Sequence, residues 1–208
     1  MRVAPEGWPF ILIAWAIVAV LCYFGLWFVA APMGLVAVWV VAFFRDPVRE
    51  GRRGDDVVIA PADGVIVSII EIDEPKVLGG PARRVSIFMS VFNVHVNRYP
   101  VNGTIVFRHY QPGEFGHAGR EKAALENEHS DVGIASPRGK LLARQIAGSI
   151  ARRIVTDHDT GTVVKQGDRL GLIRFGSRVD VFLPLSARIL VKEGDVTQAG
   201  VTAIAEWK

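Results

Sequence analysis

The feature that most restricts how this chain can fold is its charge-free start: from Pro9 to Phe44 there is no Asp, Glu, Lys or Arg. From Arg45 onward the sequence has the mixed composition of a water-soluble fold, so the chain divides there into 1–44 and 45–208. A bilayer's hydrocarbon core needs about 20 apolar residues in helical form. Pro9 to Phe28 is therefore long enough to span, whereas Met33 to Phe44 is short for a second crossing. Gly25 and Pro32 are the residues at which the run can break. A single membrane span, a re-entrant loop or a helical hairpin turning at Ala30-Ala31-Pro32 follows. A cleaved signal peptide fits poorly, because the n-region holds only Arg2, the apolar stretch is too long and no small-residue cleavage site leads out of it.

Arg45, Arg49, Arg52 and Arg53 follow directly on the apolar run, a bias that places the second part on the cytoplasmic side of a cell membrane. A net charge of +3 suits a surface lying against anionic lipid. The basic residues are dispersed and accompany no nucleic-acid motif, so no nucleic-acid partner is expected. Cys22, the one cysteine, lies in the apolar run. That argues against disulfides, cysteine zinc sites and a solvent-exposed catalytic thiol.

Beyond Arg45, β-branched runs at Val65–Ile70, Val85–Met89, Ile105–Tyr110 and Val179–Leu183 alternate with Gly, Pro, Asn and Asp, which predicts a mainly β domain. Asn102-Gly103 is the pair that a type I′ hairpin turn prefers, and Pro137-Arg138-Gly139 suggests another turn. Gly119 to Asn127 is the one helical candidate outside the apolar run. Val164-Lys165-Gln166-Gly167-Asp168 and Val191-Lys192-Glu193-Gly194-Asp195 repeat one pattern and read as two hairpin turns. Together with Pro61-Ala62-Asp63-Gly64 they resemble the turns of lipoyl- and biotinyl-carrier folds, implying a sandwich or barrel-like β domain. No lysine sits where a carrier lysine would.

Gly176-Ser177 stands between two strand-like runs and by itself signals only a bulge or turn. Its company changes that reading. Pro61-Ala62-Asp63-Gly64, the segment Met89 to Pro100 containing His95, Asn127-Glu128-His129, and Phe175-Gly176-Ser177-Arg178-Val179-Asp180-Val181 follow one another in an order and spacing that resemble the phosphatidylserine decarboxylases, in their short bacterial form. The resemblance runs over nearly the whole chain. It implies a proenzyme that cuts itself between Gly176 and Ser177 into large (1–176) and small (177–208) chains, leaving a pyruvoyl group derived from Ser177. That ketone would take up the amine of phosphatidylserine and accept the electrons left by carbon dioxide, giving phosphatidylethanolamine in phospholipid biosynthesis. No external cofactor or metal is implied, and a homodimer is compatible with it.

His95 is then the candidate acid or base, and Asp63 the candidate for orienting or activating a base during self-cleavage. Longer family members read Tyr-His-x-x-His-x-Pro, and counting back from Pro100 puts His95 at the first histidine and Arg98 at the second. With Arg98 there, an Asp-His-Ser arrangement cannot be transferred unchanged: either His95 serves both steps, or Asp63 acts more directly, or another histidine substitutes, for which His109, His117, His129 and His158 are available. Arg98 is instead a candidate for the lipid's phosphate or carboxylate, and Phe92, Phe115 and Phe175 are candidates for acyl-chain contact. A non-catalytic membrane adaptor with a lipoyl-like domain would share the anchor and the turns but stay uncut. A zinc peptidase would need a His-x-His that Val94-His95-Val96-Asn97 lacks.

Overall fold

The computed structural model describes residues 2–114, 116, 126–148, 153–174 and 176–208. It divides into two compact units, Met1–Val48 and Arg49–Lys208.

The first unit is a helical hairpin. A short strand β1 (Arg2–Val3) leads into α1 (Trp8–Tyr23), and the chain reverses at Phe24-Gly25-Leu26 into α2 (Trp27–Phe43), followed by β2 (Arg45–Asp46). The reversal thus falls at Gly25, and Ala30-Ala31-Pro32, expected to form the turn, lies inside α2. Pro32 forfeits one backbone hydrogen bond there. β1 and β2 pair antiparallel, Arg2 with Asp46 and Val3 with Arg45, and the Ala4 amide donates to the Phe44 carbonyl at 2.8 Å. Both ends of the hairpin are therefore stapled together. Pro5–Tyr23, which includes the short 3-10 turn before α1, is long and apolar enough to cross a membrane, whereas Trp27–Phe43 is shorter. Large apolar side chains such as Leu12, Ile13, Phe28 and Leu35 stand exposed on both helices.

The second unit is mainly β. Its strands are β3 (Val57–Ile59), β4 (Gly64–Glu74), β5 (Gly80–Met89), β6 (Val96–Arg98), β7 (Gly103–Gln111), β8 (His129–Ser136) and β9 (Gly139–Ala147), then β10 (Ile154–Thr156), β11 (Val163–Val164), β12 (Arg169–Ile173), β13 (Ser177–Pro184), β14 (Arg188–Ile189), β15 (Val196–Thr197) and β16 (Ala203–Glu206). Among the described residues, eight form one curled half-barrel sheet in the order β11-β7-β8-β9-β13-β5-β4-β15. Two small sheets, β10-β12-β6 and β14-β16-β3, accompany it. All four β-branched runs identified in the sequence lie in strands of the large sheet. Its inner face carries the main core, including Ile66, Val85, Ile87, Ile134, Leu141, Val179 and Val181.

Pro137-Arg138 does join a hairpin, between β8 and β9, which pair from Ser136 with Gly139 to His129 with Ile146. Asn102-Gly103 does not. Neither residue has positive φ, and the flanking β6 and β7 belong to different sheets. Asn102 instead accepts the Gln166 amide at 2.9 Å and donates to Asp55 at 2.9 Å, tying two distant loops to the start of β7.

The Val-Lys-x-Gly-Asp repeat is structural, but its two copies are not hairpins. Each is a tight turn, closed by Asp168 N to Lys165 O at 3.1 Å and by Asp195 N to Lys192 O at 3.2 Å. Gly167 and Gly194 take φ of 88° and 89° at the third position, as a type II turn requires. The first turn then exchanges two backbone bonds with Tyr99 and the second does the same with Ile66. Each passes the chain from one sheet to another, β11 to β12 and β14 to β15. The helical candidate at 119–127 falls mostly outside the described residues.

Candidate active site

Ser177 is the first residue of β13 and is paired on both sides, with Met89 of β5 and with Ala147 of β9. It is fully buried, and its hydroxyl donates to the thioether sulfur of Met89 at 3.4 Å. Gly176 before it has φ 59°, the left-handed region that a side chain resists, as the chain crosses from β12 into β13.

His95 meets this link. The Asn93 side chain closes a turn on Ser90 by accepting from its amide at 2.8 Å and its hydroxyl at 2.9 Å. The Asn93 carbonyl then faces His95 Nδ1 at 3.0 Å, and β6, beginning at the next residue, is held by β12. A hydrogen on Nδ1 satisfies that carbonyl and leaves Nε2 as an acceptor, which receives the Gly176 N–H at 3.3 Å. A fully buried imidazole lone pair therefore lies against the Gly176-Ser177 link.

The other predicted residues occupy different positions. Asp63 lies at the head of β4, separated from β13 in the sheet by β5. One of its oxygens accepts from Arg49 at 2.7 Å and the other from the Ala199 amide at 2.7 Å. Arg98 donates to the Gly167 carbonyl at 3.0 Å and lies against Gly200, where Arg49 and Arg53 also converge. Phe92 is 72% exposed. Phe115, Phe175 and His117 lie outside the described residues. His109 faces Gln111, and His158 faces the Tyr99 hydroxyl at 3.1 Å. His129 opens β8, where burial holds its pKa below the usual histidine value, helped by Arg144 and opposed by the Asn127 carbonyl and Asp131. Asn127 flanks the site: its amide donates at 2.7 Å to the carbonyl of Ala147, the residue paired with Ser177. Among the described residues no cluster of His, Cys, Asp and Glu could hold a metal ion.

Sequence reasoning missed what lies behind Ser177. Arg178 is completely buried and grips Asp180 through two bonds of 2.6 and 3.0 Å, with a third to Ser86 at 2.8 Å. Next to it, Arg144 holds the buried Asp131 through bonds of 2.6 and 2.9 Å. The signal was present in charges at 178 and 180, two apart in an otherwise apolar strand.

The family model for phosphatidylserine decarboxylase matches residues 36–205. The chain belongs to the phosphatidylserine decarboxylase family. It is similar to the phosphatidylserine decarboxylase proenzyme of Magnetococcus marinus, with 47% identity across 99% of this chain and 95% of that protein. The proenzymes of Symbiobacterium thermophilum and Nitrosomonas eutropha are 43% and 45% identical, over 97% and 99% of this chain and 94% and 95% of theirs. As in those decarboxylase relatives, nearly the full length is shared, so the hairpin, the His95 segment and the Gly176-Ser177 link all fall within the matched region.

Proposed function

We propose that this chain is a membrane-tethered phosphatidylserine decarboxylase that makes phosphatidylethanolamine and carbon dioxide, using a pyruvoyl group that it generates by cutting itself at Gly176-Ser177. The observation that carries this reading is the His95 Nε2 lone pair at the Gly176 amide, beside a buried serine hydroxyl that donates to a weak thioether acceptor. A hydroxyl so held yields its proton readily to a better base. His95 takes that proton as the Ser177 oxygen attacks the Gly176 carbonyl.

The residues present fit a pyruvoyl group at 177, because its neighbours there are the inner-face side chains of the curled sheet and position 177 is fully buried. Such a group supplies a ketone that binds the substrate amine and draws electrons from the breaking carbon–carboxylate bond. His95 then serves as the nearby proton donor for the carbon left behind. Asp63 is assigned to maturation, with its carboxylate already charge-paired to Arg49. Arg98, three residues beyond His95 and beside Arg49 and Arg53 at Gly200, is assigned to the anionic headgroup.

The helical hairpin is assigned to the membrane and the β unit to the cytoplasmic side, by the arginines that follow α2. Stapled ends favour a hairpin entering and leaving on one face. α1 and α2, at 16 and 17 residues, are about 24 and 26 Å long, and the short 3-10 turn extends the first to the length of a span, Pro5–Tyr23.

A denaturing gel with intact mass of the membrane-extracted protein tests the reading. Two fragments are expected, the smaller starting at residue 177 with a blocked N-terminus. A single full-length band from membranes active in decarboxylation refutes it, and a single band from inactive membranes favours the adaptor.

A further inference from the structure

On the inner face of the sheet a chain of uncharged side chains runs up to Ser177 from a distant arginine. Arg108 Nη1 donates to Ser130 Oγ at 3.3 Å. Thr156 Oγ1 lies 2.9 Å from Ser130 Oγ and 2.7 Å from Gln145 Oε1. Gln145 Nε2 donates to Asn97 Oδ1 at 2.8 Å, and Asn97 Nδ2 reaches the Met89 sulfur at 3.6 Å. That sulfur is the same atom to which Ser177 donates. Asn97 and Gln145 are fully buried and Ser130 nearly so.

A guanidinium can only donate, so Ser130 accepts from Arg108 and can also accept from Thr156, whose single hydrogen has its shorter contact with Gln145. Thr156 then donates to Gln145 Oε1, which turns the Gln145 amide toward Asn97. Asn97 must accept on its oxygen and therefore presents N–H at the Ser177 end. Among the described residues it meets there a thioether, a weak acceptor. A buried amide donor with so poor a partner is held ready for a better one.

We propose that Asn97 is a catalytic residue of self-cleavage, donating its Nδ2 hydrogen to the Ser177 side-chain oxygen, with Gln145, Thr156, Ser130 and Arg108 as positioning residues that fix its orientation. This rests on the reading that the chain cuts itself at Gly176-Ser177. In the first step the Ser177 oxygen bonds to the Gly176 carbonyl carbon, the amide C–N bond breaks, and the hydroxyl proton passes by way of His95 to the departing nitrogen. In the second a base removes the Ser177 Cα proton, Cα and Cβ become doubly bonded, and the Cβ–Oγ bond breaks. Its electron pair stays on the oxygen, now part of the Gly176 carboxylate. In the first step charge grows on the Gly176 carbonyl oxygen; in the second it grows on the former Ser177 oxygen as the Cβ–Oγ bond breaks, and that is the step the fixed Asn97 donor serves.

The test follows full-length chain synthesised in the presence of membranes, with the cut fraction measured over time on denaturing gels, and the uncut band treated with hydroxylamine to reveal ester. Asn97→Leu keeps the volume and removes the donor. It is expected to slow the cut about 100-fold and to enrich hydroxylamine-sensitive uncut chain. Thr156→Val leaves Asn97 in place but frees the amides to reverse, and a slowing of several-fold is expected. If Asn97→Leu melts without cooperativity, Thr156→Val decides alone. A wild-type rate in the deciding variant, or slowing without added ester, overturns the proposal while leaving the cleavage reading intact. An uncut wild-type chain removes both.

Discussion

The two faces of β13 are built on opposite terms. On the inner face Ser177, Val179 and Val181 meet core side chains and a hydrogen-bonded chain without charge at the serine. On the outer face Arg178 and Asp180 form a fully buried ion pair, with Arg84 Nε 3.7 Å from Asp180. Alternation along a strand separates them completely. A serine that reacts as proposed needs surroundings that do not fix charge before the reaction starts. The residue behind it, in contrast, needs to be immovable. One strand supplies both because neighbouring residues point opposite ways.

Breaking the inner face should have the largest effect. Ser177→Ala should abolish the cut and with it decarboxylation, seen as one full-length band and no carbon dioxide release from labelled phosphatidylserine. Next comes the outer face. Asp180→Ala strands the Arg178 guanidinium in the interior and is expected to cost about 3–5 kcal/mol in denaturant unfolding of the detergent-solubilised protein. The double replacement Arg178→Met with Asp180→Leu should recover most of that loss. If the double variant is as unstable as the single one, the pair is not an isolated charge problem and Arg84 shares it.

A smaller effect sharpens the contrast through pH. Burial lowers the His129 pKa in the folded chain, so below about 6.5 the unfolded chain binds the proton first. Stability is therefore full above that pH, declines as pH falls from there toward the lower folded value, and levels off beneath it. His129→Gln should flatten this decline between pH 7.5 and 5.5 in urea midpoints. The smallest effect is expected far from β13. Gly194→Ala has open space for its Cβ but keeps φ near 89°, and should cost about 1 kcal/mol.

What the sequence made legible follows from which forces are local. The charge-free run, the four long β segments and the Pro137-Arg138 hairpin depend on composition and period, and all appear where expected. The hairpin's turning point was misplaced because Pro32 is a breaker in water-soluble helices, whereas Gly25 actually reverses the chain. Asn102-Gly103 misled for another reason: the pair's preference is local, but Asn102 is engaged by Gln166 and Asp55, 64 and 47 residues away. At the candidate site, His95 and Ser177 were candidates from their motifs, and the fold places His95 against the link to Ser177. Asn97 and Gln145, 48 residues apart, could not be linked without the sheet that joins them. Arg178 and Asp180 were visible as letters, but nothing local says that two charges in a strand will be sealed from water.

Residues 177–208 supply β13 to β16, and each has its partners in the preceding part of the chain or beside it: β13 between β5 and β9, β15 on β4, and β16 on β3. A cut before Ser177 therefore severs a connection without releasing a piece. The intact precursor can search for its fold as one molecule, but the processed pair, once unfolded, would have to find each other by diffusion. Maturation would then act as a ratchet, turning a reversible folding equilibrium into a concentration-dependent one and leaving the product protected by its rate of unfolding.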